Sequence, residues 1–160
     1  MRTRIISAFP GTGKSYYHNK YKDKTLDSDS SNFSWVIIDG KKERNPEFPN
    51  NYINHIKENI GKYDFIFVSS HKEVREALIK NCIFFYLVYP SRYRKQEFIS
   101  RYIERGSDSN FIKLLSNNFE NWVNECDQCD TGCKKIKMVL HNLEEEINNI
   151  VSLEKGDCNA

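Results

Sequence analysis

Residues 8–17 read Ala-Phe-Pro-Gly-Thr-Gly-Lys-Ser-Tyr-Tyr, a glycine-rich turn between a short apolar run and a polar, helix-like stretch. Strand, glycine turn and helix together form an anion site, because the first amides of a helix lack intrahelical partners and carry partial positive charge. Gly11 and Gly13 let the backbone curl around a phosphate where a side chain would collide. Lys14 is placed to reach β- and γ-phosphates, and the Ser15 hydroxyl to hold magnesium. The spacing is that of the phosphate-binding pattern GxxxxGK[ST] (Walker A), with Ala8 in the first glycine position. Pro10, Gly11, Thr12, Gly13, Lys14 and Ser15 are therefore expected to grip the triphosphate of ATP or GTP.

Magnesium needs carboxylates nearby, directly or through water. Asp27 and Asp29 form a DxD just after a short extended segment, where alternate side chains point the same way and both can face one cleft. Asp39 is a rival, because it ends WVIID, a run that reads as a Walker B strand. Asp64 begins its strand and so lies at the end opposite to ligands in open α/β sheets. The strand DFIFVSSH ends in Ser69, Ser70 and His71, with no acid. Ser69 is a weak candidate for a water-mediated magnesium contact, and His71 either approaches the site or, the reading favoured, is a helix-capping or surface residue.

Arg94, Arg101 and Arg105 follow at i, i+7 and i+11, within roughly 40° of one another on a helix. Guanidinium groups so placed suit the negative charge that spreads over a moving phosphoryl group. The following RGSDSN predicts a small mobile lid near residues 105–110.

These residues need elements to hold them. Thr3–Phe9, Lys24–Asp27, Asp64–Ser69, Ile83–Tyr89 and Lys135–Leu140 read as strands. Helical spacing covers Lys14–Lys22, Tyr52–Ile60, Lys72–Lys80, Ser91–Glu104, the apolar set from Phe111 to Val123, and Leu143–Val151. Residues 41–51, with two prolines, read as loop. Alternating strands and helices predict one α/β domain over residues 1–153, with a mostly parallel five-stranded sheet covered on both faces and a frayed tail at 154–160.

The chain has 160 residues, 39% hydrophobic and 13% aromatic, enough for one real core. No apolar run is long enough to span a membrane. A net charge of +2 does not suit a dedicated duplex-DNA binder, and no extended basic groove is visible. The N-terminal run does not read as a secretion signal, so the five cysteines are expected as reduced thiols in a cytoplasmic protein. Cys126, Cys129 and Cys133 form CDQCDTGC. This is either a solvent-facing loop or a metal site that would need a fourth ligand such as His141.

The order strand–AFPGTGKS–helix, LDSD, DFIFVSSH, FYLVYP with the arginine-bearing RYIERG helix, then KIKMVL and a last helix, resembles the small P-loop kinases. These are the nucleoside monophosphate kinases, with shikimate and gluconate kinases as cousins. The chain is also similar to compact kinase-like proteins of bacteriophages and Firmicutes. The resemblance spans roughly residues 3–153 and implies a three-layer αβα P-loop NTPase fold. It further implies ATP and Mg2+ as cofactors, with Asp27 serving the metal and Asp29 meeting the acceptor hydroxyl and taking its proton. Arg101 and Arg105 match the arginines that contact phosphates in the monophosphate kinases, and Arg94 shares their face. The chain departs from that pattern in its short lid, in lacking an acid after the third strand, and in residues 32–59.

The resulting expectation is an ATP-dependent phosphotransferase in which Lys14, Asp29, Arg101 and Arg105 are catalytic. Its acceptor would be a nucleoside or nucleotide; a sugar-like or acid metabolite comes second and a nucleic-acid 5′ hydroxyl third. The aromatics Phe33, Trp35, Phe48 and Tyr52 either stack a base or belong to the core. A nucleotide-binding regulatory protein without an acceptor is the alternative of another class; its base-recognition tetrad, Asn-Lys-x-Asp, is not found.

Overall fold

The structure is a computed structural model and describes residues 2–157. Its main sheet contains β1 (Arg4–Ala8), β2 (Thr25–Asp27), β5 (Phe65–Ser69), β6 (Phe85–Pro90) and β7 (Cys133–Met138). Their order in space is β2-β5-β1-β6-β7, and every neighbouring pair is parallel.

These strands read as near-continuous apolar runs because both faces are covered. Ile5, Ile66, Val68, Phe85, Leu87 and Tyr89 turn to one face. There they pack with α3 (Asn50–Asn59), α4 (Lys72–Lys80), α5 (Lys95–Glu104) and α6 (Ser109–Asp127). The alternate residues Ile6, Ala8, Phe65, Phe67 and Val88 turn to the other face, against α1 (Lys14–Lys20) and α7 (Leu143–Asp157). Helices thus flank the sheet on both sides, an arrangement that fits a three-layer α/β/α architecture.

The strand order matters for function. After β1 the chain runs outward to β2, returns through β5, and then crosses β1 to build β6 and β7 on the far side. The carboxyl end of β1 is therefore where the winding reverses, and such a point opens a crevice outside the sheet.

Residues 31–44 depart from the sequence-based expectation. A short α2 (Ser31–Ser34) leads into β3 (Trp35–Ile38), which pairs antiparallel with β4 (Lys41–Arg44) in a separate two-stranded sheet. Residues 41–44 are thus strand and not loop. Asp39 and Gly40 make the turn with φ of 52° and 75°. Two positive φ values match the twist of a hairpin, and Asp-Gly is the sequence that supplies them. Asp39 consequently sits at a solvent-facing hairpin tip, and WVIID is not a strand of the main sheet.

The segment expected as a lid, residues 105–110, is a turn followed by the start of α6. Gly106, at φ 72°, terminates α5, with Ser107 N donating to Tyr102 O and Gly106 N to Ile103 O. This pair of bonds is the usual closure of a helix by a left-handed glycine. Residues 105–108 are its tight turn, and α6 starts at Ser109. At the other terminus α7 continues to Asp157, past the expected start of a frayed tail; residues 158–160 lie outside the described residues.

Candidate functional site

The glycine-rich loop leaves β1 at Phe9, whose ring is buried edge-on against Phe119 (5.4 Å), Phe98 (6.4 Å) and Trp122 (6.4 Å). Such aromatic pairs each contribute about 0.5–1.5 kcal/mol beyond their burial, so the start of the loop is firmly seated. Two bonds from α5 then hold the turn. Tyr102 Oη donates to Pro10 O at 2.7 Å, and Arg101 Nη1 donates to Gly11 O at 2.9 Å. Gly11 lies at φ 85°, and a Cβ there would come within 2.6 Å of Tyr102 Cε1. Glycine is thus required at this position by both its backbone angle and its neighbour.

Two cavities open on either side of the loop. One, of about 660 Å³, reaches from Lys14 past Asp27 and Asp29 to Trp35, Arg44 and Phe48. The other, of about 480 Å³, is bounded by Thr12, Arg101, Arg105 and residues 142–144 ahead of and opening α7. Gly11, Lys14, Ser15 and Arg105 line both. Lys14 and Arg105 therefore stand where the two spaces meet. Among the described residues neither makes a salt bridge or a side-chain hydrogen bond. Burial pushes the Lys14 pKa below its usual 10.5, Asp27 and Asp29 pull it back up, and Arg105 lowers it further. An unpaired cation held under those conditions is poised to take an anion.

Ser15 Oγ donates to Asp27 Oδ2 at 3.1 Å, so the hydroxyl and carboxylate expected to share magnesium are already adjacent. Asp29 is exposed to the larger cavity. Its Oδ1 accepts from Ser31 N at 2.9 Å, a local turn that restrains the carboxylate. Thr12 Oγ1 is buried and unpartnered among the described residues, on the loop itself. A buried hydroxyl without a partner is costly and marks a place where a ligand atom would restore the bond.

The remaining expected residues are distributed differently. Arg101 is tied to Gly11 O and to Glu97 Oε1 (2.9 Å), which makes it a brace of the loop. Arg94 belongs to the 3-10 turn Arg92–Arg94 ahead of α5. Its guanidinium grips both Glu97 oxygens (2.7 and 2.8 Å) and His141 O (3.0 Å), and it lines neither cavity. It was expected at the phosphate but is occupied in joining α5 to the segment after β7. Ser69 shares a 2.7 Å hydrogen bond with Ser30, is buried, and lines the larger cavity. Asp64 lies at the amino end of the sheet, with its carbonyl accepting from Arg4 N. His71 heads α4 without a side-chain cap and lines the larger cavity; desolvation, then the Lys14 charge, lower its pKa.

Among the described residues no three His, Cys, Asp or Glu side chains converge on a metal position. Cys129 and Cys133 approach to 3.5 Å as free thiols, Cys126 is buried in the core, and His141 is bonded to Glu146 beyond the far end of β7. The cysteine cluster is thus not assembled with His141.

Tyr52 resolves in favour of the core. It is fully buried, donates from Oη to Ser28 O (2.7 Å), and accepts from Ser69 N (3.4 Å). It thereby ties the DxD loop to the end of β5, a role no local pattern announces. Phe33 packs on its ring at 5.2 Å. Trp35 and Phe48 instead line the larger cavity, with Arg44 over both rings (5.7 and 4.8 Å) and paired to Glu73. Arg44 and Glu73 carried no motif; the alternation that places Arg44 opposite Trp35 in the hairpin was the available signal.

No helix among the described residues is long and apolar enough to cross a membrane. In comparison with known proteins, the chain matches no family model and no curated protein.

Proposed function

We infer that the protein is an ATP-dependent phosphotransferase of the small P-loop kinase type, passing the γ-phosphoryl group to a hydroxyl of a small acceptor, a nucleoside or nucleotide. The observation that carries this reading is the unpaired Lys14–Arg105 couple at the junction of two cavities, one of which also holds Asp29. A switch protein needs a single nucleotide pocket; a transferase needs two spaces that meet at the moving group.

In this reading ATP lies along the loop, its base toward the smaller cavity and its triphosphate over Gly11–Ser15. Thr12 Oγ1 gains the partner it lacks. The acceptor occupies the larger cavity with its hydroxyl at Asp29. The hydroxyl oxygen attacks the γ-phosphorus, the bond to the ADP oxygen breaks, and the hydroxyl proton passes to the Asp29 carboxylate. Lys14 and Arg105 offset the charge on the transferring group, and most of the acceleration comes from position and fixed charge.

Magnesium fits the residues present: the Ser15 hydroxyl and Asp27 carboxylate are 3.1 Å apart, and magnesium commonly takes one or two protein oxygens, with phosphates and water completing its shell. Bound there, it would neutralise phosphate charge.

The test is ADP production with ATP and magnesium, with and without a panel of nucleosides, nucleotides and hydroxyl metabolites, alongside Lys14→Ala. Acceptor-dependent ADP that disappears in the variant supports the reading. Slow hydrolysis indifferent to every acceptor favours a nucleotide-binding regulatory protein and overturns it.

A further inference from the structure

We propose that the acceptor is an uncharged nucleoside, and that the Arg44–Glu73 pair excludes its 5′-monophosphate. This rests on the phosphotransferase reading above and names the substrate of that site.

The charges of the larger cavity carry the inference. A monophosphate acceptor would bring about two negative charges to the wall opposite the loop and would need a free cation there. The cation on that wall is Arg44, and it is not free. Its guanidinium pairs with Glu73, the acid in the first turn of α4, and lies over the rings of Trp35 and Phe48. His71, two residues before Glu73, also lines the cavity, and desolvation and the Lys14 charge lower its pKa from the ordinary 6.5. Asp29 adds a negative charge to the same cavity. Apart from Lys14 and Arg105 at the loop, the charged lining is thus Arg44, Glu73, Asp27 and Asp29, a net negative set whose one cation is paired. Lys14 and Arg105 do remain unpaired, but they sit at the loop where both cavities meet and serve the transferring phosphoryl group. A dianion set beside Asp29 and Glu73 would be repelled; an uncharged hydroxyl compound would not.

The rest of the wall suits a flat, half-polar molecule. Phe111 and Leu114 of α6 line the cavity and are 39% and 51% exposed, and Trp122 lies on the same helix. This leaves apolar surface for a base to cover. Ser31 and Ser34 line the same cavity, close to Asp29 in sequence. A sugar alone would leave the aromatic surface open, and a hydroxy acid meets the same repulsion as a monophosphate. The transfer is balanced with ATP as the donor: nucleoside hydroxyl and ATP give nucleoside monophosphate and ADP, with the hydroxyl proton released through Asp29.

The experiment compares matched pairs, each nucleoside against its own 5′-monophosphate, with ATP and magnesium. ADP is followed by a coupled assay and the product by mass spectrometry, while ATP binding is measured separately by calorimetry. The expected result is a kcat/KM for at least one nucleoside that exceeds that of its monophosphate by about tenfold or more. Glu73→Gln releases Arg44 at an exposed position that the fold tolerates, and is expected to shift this ratio toward the monophosphate by about tenfold with ATP affinity unchanged. Equal or better use of monophosphates overturns the proposal, as does a 5′-hydroxyl oligonucleotide, a sugar or a hydroxy acid acting as sole acceptor. An unaltered ratio in Glu73→Gln overturns the role of the pair. ATP binding without any acceptor overturns the nucleoside alone, whereas loss of ATP binding to the wild-type protein sinks the phosphotransferase reading beneath it.

Discussion

Arg101 Nη1 donates a 2.9 Å hydrogen bond to the carbonyl of Gly11, so the guanidinium that a helical-wheel argument aims at phosphate is instead a clamp on the loop that would hold it. Glu97 fixes the other side of the same group and also grips Arg94, giving a chain Arg94–Glu97–Arg101–Gly11 from the segment after β7 to the loop. Of the three arginines on this face, Arg105 alone has its donors uncommitted among the described residues.

The clamp predicts an unequal effect of two substitutions. Arg101→Ala should remove about 1 kcal/mol of stability and weaken ATP binding by loosening the turn. Arg105→Ala should leave stability within about 0.5 kcal/mol and chiefly lower kcat. Urea midpoints and steady-state kinetics on both variants separate the roles; equal losses of stability would contradict them.

The two glycines of the loop should differ as well. Gly11→Ala meets Tyr102 at 2.6 Å and adopts a positive φ, whereas an added Cβ at Gly13 meets nothing within 4 Å and bears backbone strain alone. Gly11→Ala is therefore expected to cost about 2 kcal/mol or more, and Gly13→Ala less. Thermal melts of the pair check the order.

Lys14 gives a pH signature. Its folded pKa lies below 10.5, so between that depressed value and 10.5 the unfolded chain binds more protons, and stability rises with pH across the window. Lys14→Met should abolish that share of the rise while leaving the fold at least as stable at neutral pH, and should reduce turnover by about a hundredfold or more. Denaturant midpoints of the two proteins as a function of pH test the sign; a wild-type stability that falls relative to the variant as pH rises would refute it.

Tyr52→Phe keeps the ring in the core and removes the hydroxyl that joins Ser28 O to Ser69 N. The expected loss is about 1–2 kcal/mol, read as a drop of about 2–8 °C in Tm. Because the DxD loop is what loosens, kcat should fall more than the KM for ATP rises. Asp29→Asn retains the oxygen that accepts from Ser31 N but not the basic charge, so it should cut kcat with ATP binding kept.

Much of this architecture was legible along the chain. Buried strands announce themselves as apolar runs, and the AFPGTGKS turn and the LDSD segment lie next to the strands that deliver them. Asp39, the rival to Asp27 and Asp29, lies away from the main sheet for a local reason: WVIID has the look of a sheet strand, while its last residue forms a hairpin turn with Gly40, and the turn chemistry decides. Arg94 shares the face that the 100° steps gave it, but its guanidinium is taken up by Glu97 and His141 O, and the His141 contact is one that only packing supplies.

Sequence alone determined the strand–loop–helix unit at residues 4–20 and the apolar periodicity of the helices, since these depend on neighbours a few residues apart. Tertiary structure alone decided that β1 lies at the reversal of the sheet, that Tyr52 bridges Ser28 and Ser69, and that Arg44 is held by Glu73, 29 residues away. Whether a charge is free or spent depends on which partner packing brings beside it, and that partner is set by the global winding of the chain.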